Sequence, residues 1–300
     1  MITLPDGAKW EPSFMRLSPS KINTYHKCPR EFYYKYIAQM PEKKTIHLFR
    51  GTLVHAVLED LFKKQWLSEL HTADEMAAMK LETQELLQNF VGSVNKKLNE
   101  MVTWKIYKSK WQAWNSVAPK YAEKWVKSKD YAVIGIVDAV CSDFDGGTTL
   151  LDYKTSKRYL PEVYYRQLII YAFVYTLEMG EMPNFVGVSY LRFDDTFYVK
   201  VNQSVLDEAK EVIMYVHDCL KERMKDEDKY EQKPQNLCKW CSFYVGNGGP
   251  CDVQLPKWKP KGKSYTKKSN VKAVNAIIDD EIVDNLPQYE DGEELPTLIR

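Results

Sequence analysis

A chain of 300 residues is long enough for one large domain or two small ones with buried cores, which excludes a short peptide or a coiled-coil rod. Hydrophobic residues make up 44% and charged residues 28%, and the longest unbroken apolar run, residues 168–175, is too short to span a bilayer, so no membrane protein is expected. The net charge of +1 hides a polar C-terminal end, where residues 257–278 hold seven lysines and no acid and residues 279–300 hold eight acids and one Arg.

The first residues lack the basic segment followed by an apolar segment of a secretory signal, so a cytoplasmic location is expected. Six unevenly spaced cysteines then suggest metal ligation rather than a disulfide scaffold.

In chain order, residues 1–16 read as a flexible, irregular lead-in, because Pro5, Gly7 and Pro12 break any periodic pattern. Order begins at Leu17. Ser18 as N-cap and Pro19 in the first turn predict a helix carrying Ile22, Tyr25, Phe32, Tyr33 and Tyr36. A second helix is expected over residues 51–61, and a helical insertion over about residues 66–129. Within that insertion Trp104, Tyr107, Trp111, Trp114, Ala118, Tyr121 and Trp125 recur at steps of three and four. Such rings can stack on nucleic-acid bases, but the seven lysines between Lys105 and Lys129 lie off the stripe, which favours the core of a helical subdomain.

The period then changes from helical to alternating. Residues 133–140 and 148–155 are β-prone and flank Asp143-Phe144-Asp145-Gly146-Gly147, which predicts a hairpin. A helix over residues 161–179, strands over 185–191 and 196–201, and a helix over 204–225 complete an α/β arrangement.

On the second hairpin strand Asp152 and Lys154 are two apart and share a face, with Tyr153 on the other. Centring the hairpin on Asp145 pairs positions whose numbers add to 290, which sets Asp138 opposite Asp152. Like charges at that spacing repel unless a cation lies between them, and two hard carboxylates suit Mg²⁺ or Mn²⁺. Lys154 can then orient a water or stabilise charge on a phosphoryl oxygen. By itself the Asp-x-Lys pattern is equally an ordinary surface pair.

Two further pairs at helical spacing accompany it. His55 and Glu59 lie one turn apart, an imidazole that can ligate metal and a carboxylate that can bind metal or hold a water beside it. Gln167 and Tyr171 repeat the spacing on the helix after the hairpin. Cys238 and Cys241 form a CxxC followed by Cys251, one thiolate short of a four-ligand site, and Cys28 can supply the fourth if the chain ends meet. Cys141 and Cys219 read as buried small hydrophobes.

The succession Leu17-Ser18-Pro19-Ser20, Cys28-Pro29, Phe32, Gly51 with His55, Gly135 with Asp138, Asp152-Tyr153-Lys154-Thr155, Gln167 with Tyr171, and Cys238, Cys241 and Cys251 resembles a RecB-type nuclease of the PD-(D/E)XK superfamily. The branch is the one with an iron-sulfur staple, seen also in AddB C-terminal domains and CRISPR-associated adaptation nucleases. The resemblance runs from about Leu17 to Cys251.

It implies an α/β restriction-endonuclease-like core sheet flanked by helices, with the helical insertion, over residues 17–256. His55, Asp138 and Asp152 become ligands of a catalytic Mg²⁺ or Mn²⁺, Asp138, Asp152 and Lys154 the catalytic residues, and Gln167 and Tyr171 a substrate-associated motif. Cys28, Cys238, Cys241 and Cys251 become ligands of a 4Fe–4S cluster, with structural Zn²⁺ as the alternative.

The implied activity is metal-dependent DNA hydrolysis, as an exonuclease at DNA ends in repair, recombination or phage replication, with a helicase or recombination protein as partner. The rival from another class is an inactive DNA-binding scaffold of a recombination complex. Residues 257–300 read as a disordered tail, lysine-rich and then acidic.

Overall fold

The computed structural model describes residues 2–43, 54–56, 58–59, 81–142 and 146–255. The chain divides into two compact units, Met1–Lys233 and Pro234–Arg300.

The first unit opens with β1 (Ile2–Thr3) paired antiparallel to β2 (Lys9–Trp10). The expected irregular lead-in is therefore corrected: Trp10 is buried, its indole Nε1 donates to Asp218 Oδ1 at 2.9 Å, and the Ser13 amide donates to His217 Nδ1 at 3.1 Å. These partners lie some two hundred positions away, beyond the reach of a local pattern.

Helix α1 (Pro19–Lys27) starts as predicted, with the Ser18 hydroxyl accepting from the Lys21 amide at 3.3 Å and Pro19, Ile22 and Tyr25 buried. It does not run on to Tyr36. Pro29 has no amide hydrogen, so the chain goes extended at Cys28, restarts as α2 (Pro29–Phe32) and continues as a π-helical turn, Tyr33–Ile37. Residues 54–56 and 58–59 are helical, and the rest of the helix expected over 51–61 lies outside the described residues.

Helices α3 (Leu81–Thr103) and α4 (Lys110–Val117) occupy part of the expected insertion, but the aromatic stripe is not one helix face. Trp104 falls in a turn, Trp111 and Trp114 in α4, and Tyr121 and Trp125 in a strand, β3 (Tyr121–Ser128). Among these rings Trp114 is buried, whereas Trp104, Trp111, Tyr121 and Trp125 are exposed, so the expected aromatic core is corrected too. Pro119 separates the helical residues from β3, and pairing with the next strand decides the outcome.

That next strand is β4 (Val133–Ser142), followed by β5 (Thr148–Lys154), helix α5 (Tyr165–Met179), β6 (Phe185–Tyr190), β7 (Asp195–Lys200) and helix α6 (Gln203–Arg223). The five-stranded sheet has the order β3-β4-β5-β6-β7, antiparallel except for the parallel pair β5 and β6 that α5 connects.

The apolar run 168–175 is buried throughout, because α5 packs on β3, β4 and β6 and also meets α1 and α6. A helix covered on several sides must be apolar nearly all round, and each fully buried Leu or Ile there contributes about 1.5–3 kcal/mol. A second cluster, Val54, Leu58, Leu86, Leu87, Ala139, Tyr153 and Leu191, joins the helical residues 54–56 and 58–59 and α3 to the sheet. Among the described residues no helix is long and apolar enough to cross a membrane.

Candidate active site

The β4–β5 register is the one predicted from a centre at Asp145, itself outside the described residues: Ala139 pairs with Leu151, Val140 with Leu150 and Cys141 with Thr149. One step further along, the ladder stops and Asp138 takes over with its side chain. Its Oδ2 accepts the amide of Tyr153 at 2.6 Å, and both Asp138 and Asp152 are buried.

Alternation along β5 sends Leu150 to the main core and Leu151 and Tyr153 to the second cluster. On β4, Val137 and Val140 both join the main core while Ala139 joins the second cluster, so the two-residue period slips by one near Asp138. On the facing strand Glu123 sits opposite with φ +48°, a conformation costly for a residue with a Cβ. Pairing between β3 and β4 runs regularly on either side of this point. The register is the same on both sides, so no residue is inserted in either strand; the ladder breaks locally at Glu123 and Asp138.

Three ligand-type side chains converge there. His55 Nδ1 lies 3.4 Å from Asp138 Oδ1 and 3.7 Å from Glu123 Oε1, and one atom from each residue fits within 4.8 Å of the others. Burial alone would lower the His55 imidazole, but the two carboxylates outweigh it, Asp138 the more strongly, and raise it to about 10. Glu59, on the same helical stretch as His55, is half-buried and is not part of this group.

Asp152 stands beside the group with its own partners. Gln167 Nε2 donates to Oδ1 at 2.7 Å and also to the Tyr171 hydroxyl at 3.2 Å, while Lys154 Nζ lies 2.5 Å from Oδ2. Burial pushes the Asp152 carboxyl up to about 6 against the pull of Lys154, with Asp138 adding to the rise. Lys154 loses solvation as well, yet Asp152 holds it above its ordinary value, and its ammonium lies over the Tyr164 ring at 4.7 Å. Gly135 makes room for this arrangement, since a Cβ there would sit 2.9 Å from Tyr171 Cε1.

The predicted residues are thus partly regrouped. His55 and Asp138 meet as expected, Asp152 and Lys154 share a face as expected, and Gln167 braces Asp152 directly while Tyr171 holds Gln167. Glu123 is not among the residues the sequence nominates, because the pattern there reads as helical; the Pro119 break is the one local sign that the helix ends earlier, since the spacing of four between Tyr121 and Trp125 suits either period.

An imidazole with two carboxylates, and a third buried carboxylate beside them, fits a hard divalent cation held mainly by oxygen. Asp152 Oδ2 is already matched by the Lys154 ammonium, so the side chains placed to hold a cation are His55, Glu123 and Asp138.

In the second unit Cys238 and Cys251 are buried and Cys241 half-buried. The Cys241 amide donates to the Cys238 carbonyl at 3.0 Å, and the Cys251 amide to the Phe243 carbonyl at 2.8 Å. Gly249 permits that return, because a Cβ there would fall 2.2 Å from the Phe243 carbonyl. Cys28, in the first unit, is buried at the break between α1 and α2. Cys219 is buried as expected; Cys141 is half-buried, and loss of solvation pushes its thiol up to about 12. The tail, residues 257–300, lies outside the described residues.

Comparison with known proteins places this geometry. Residues 16–245 match the family model described as the PD-(D/E)XK nuclease superfamily. Among solved structures, a protein described as a "putative exonuclease" from Eubacterium rectale is similar at a TM-score of 0.48 and 15% identity, covering 80% of this chain and 90% of the other. Another, SSO0001, is similar at a TM-score of 0.29 and 14% identity, covering 79% and 97%. No curated protein matches the sequence. A mixed five-stranded sheet flanked by helices, the acidic site at its β4–β5 pair and a family match spanning most of the chain lead to one statement: this chain belongs to the PD-(D/E)XK nuclease superfamily.

Proposed function

We propose that the chain is a divalent-metal-dependent deoxyribonuclease of the RecB type that acts as an exonuclease at DNA ends. The observation that carries this reading is the meeting of His55, Glu123 and Asp138 beside the buried Asp152–Lys154 pair.

His55, Glu123 and Asp138 would hold Mg²⁺ or Mn²⁺, with Asp152 adjoining. The ion, when bound, polarises the phosphate and makes a water more acidic. Lys154 positions the attacking water and offsets charge developing on the phosphoryl oxygen, from a site poor in solvent where such an interaction is strong. Gln167 fixes the Asp152 carboxylate through Oδ1 and leaves Oδ2 to the ammonium. Tyr171 in turn braces Gln167.

The test is release of nucleotides from end-labelled linear DNA and from closed circles, with Mg²⁺ or Mn²⁺. Wild type should degrade the linear substrate and spare the circle, and Asp152→Ala and Lys154→Ala should be inactive while folded. Cleavage by either variant at the wild-type rate removes the assignment.

For the cysteines, Cys28, Cys238, Cys241 and Cys251 are proposed as ligands of a structural 4Fe–4S cluster, on the resemblance to RecB-type nucleases alone. Iron and acid-labile sulfide in protein purified without oxygen would support it; stoichiometric zinc in a colourless preparation would replace it by a zinc site.

A further inference from the structure

A set of aromatic rings leads from the Lys154 ammonium to the protein surface, and no step proposed above uses it. Lys154 Nζ lies over Tyr164, whose ring centroid is 6.2 Å from that of the fully buried Tyr190. Tyr159 lies on Tyr190 with centroids 4.6 Å apart and planes inclined by 38°, and the edge of Phe193 meets both, at 5.7 Å and 6.0 Å. Tyr190 is held in turn, its hydroxyl accepting the Leu160 amide at 3.1 Å.

Tyr159 and Phe193 nevertheless remain 36% and 38% exposed. They sit where the chain leaves the parallel strands β5 and β6, at the carboxyl ends where α/β sheets commonly bind ligands. Lys157 and Arg158 precede Tyr159, and Arg192 precedes Phe193, so cations share both segments. Of the acids nearby, Asp195 takes the Tyr159 hydroxyl and Asp194 is bound by Ser93 and Lys97, while Glu162 is exposed to solvent.

We infer that Tyr159 and Phe193 form a stacking platform for an unpaired base of single-stranded DNA, next to the phosphate that reacts at Lys154. The inference rests on the nuclease reading for the position of that phosphate and adds the strandedness of the substrate. A paired base keeps its faces covered by its neighbours, whereas an unpaired one can lie on an exposed ring, and cations on the flanking segments suit the backbone on either side. The rigid floor that Tyr190 supplies means that little side-chain entropy is lost when a base lands.

The test uses the full-length protein and oligonucleotides carrying 2-aminopurine, whose fluorescence falls on stacking, with Ca²⁺ in place of Mg²⁺ during binding. Tyr159→Ala and Phe193→Ala should each weaken single-strand binding about tenfold and reduce the quenching, with duplex affinity unchanged. Tyr159→Phe keeps the ring and should bind and quench like wild type.

Wild-type affinity in both alanine variants, an equal loss for single strand and duplex, or a Tyr159→Phe defect as large as that of Tyr159→Ala would overturn the platform. The two readings fail separately. Single-strand quenching by a wild-type protein that releases no nucleotide with Mg²⁺ or Mn²⁺ leaves the platform standing and removes the nuclease; robust cleavage of single strands, unaffected by either alanine change, does the reverse.

Discussion

Asp138 accepts the backbone amide of Tyr153, the residue between Asp152 and Lys154, at 2.6 Å. One acid of the site is thereby tied to the strand that carries the other acid and the lysine, so a shift of either strand moves all three together. The bond also separates two functions of the Asp138 carboxylate, structural through Oδ2 and electrostatic through Oδ1, which faces His55.

Substitutions at Asp138 should show that separation. Asp138→Asn retains an oxygen acceptor for the Tyr153 amide but loses the charge, so cleavage should fall by about 100-fold or more with stability near wild type. Asp138→Ala leaves a buried amide unpaired and should cost about 1–3 kcal/mol in chemical denaturation as well. Equal stabilities for the two variants would argue that the 2.6 Å contact contributes little.

Glu123 gives the sharpest test of the regrouped site. Glu123→Gln should weaken Mn²⁺ binding about 10- to 100-fold, measured by calorimetry without DNA, and raise the metal concentration needed for cleavage in proportion. A variant that binds Mn²⁺ as tightly as wild type would return the site to the three ligands expected from sequence alone.

Gly135→Ala acts one layer further out. The added methyl must displace the Tyr171 ring, and the chain Tyr171–Gln167–Asp152 passes the displacement to the active carboxylate. A loss of about 1–3 kcal/mol in stability is expected, together with reduced cleavage. A crystal structure of the variant with Gln167 still on Asp152 would contradict this route.

His217 contributes a loss of stability in acid. Its buried ring takes the Ser13 amide on Nδ1 and contacts the Tyr131 carbonyl through Nε2 at 2.8 Å, and burial pushes its pKa down to about 4 from the ordinary 6.5. The unfolded chain therefore binds a proton at higher pH than the native one. The stability is fully present above 6.5 and declines as pH falls from there toward 4, by roughly 3 kcal/mol in all. Denaturation midpoints measured across that window should follow this fall, and His217→Gln should flatten it.

The contrast between Tyr121–Ser128 and Thr148–Lys154 shows what could be read without coordinates. In β5 the hairpin turn, the alternation and the Asp-x-Lys spacing all lie within a few residues, so register and facing followed from local rules. In β3 the rings at Tyr121 and Trp125 are four apart, a distance common to a helix face and a strand face, and only the long pairing with β4 chose between them.

The amino-acid order by itself determined the Ser18 cap, the β4–β5 register, the shared face of Asp152 and Lys154 and the candidacy of His55, since each depends on backbone geometry over a few neighbours. Tertiary structure alone decided that Glu123 joins His55 and Asp138, that Gln167 braces Asp152, and that Trp10 and Ser13 are anchored on α6. Those contacts join segments remote in sequence, and the closure of such loops is selected by the packing of the whole core rather than by any local preference.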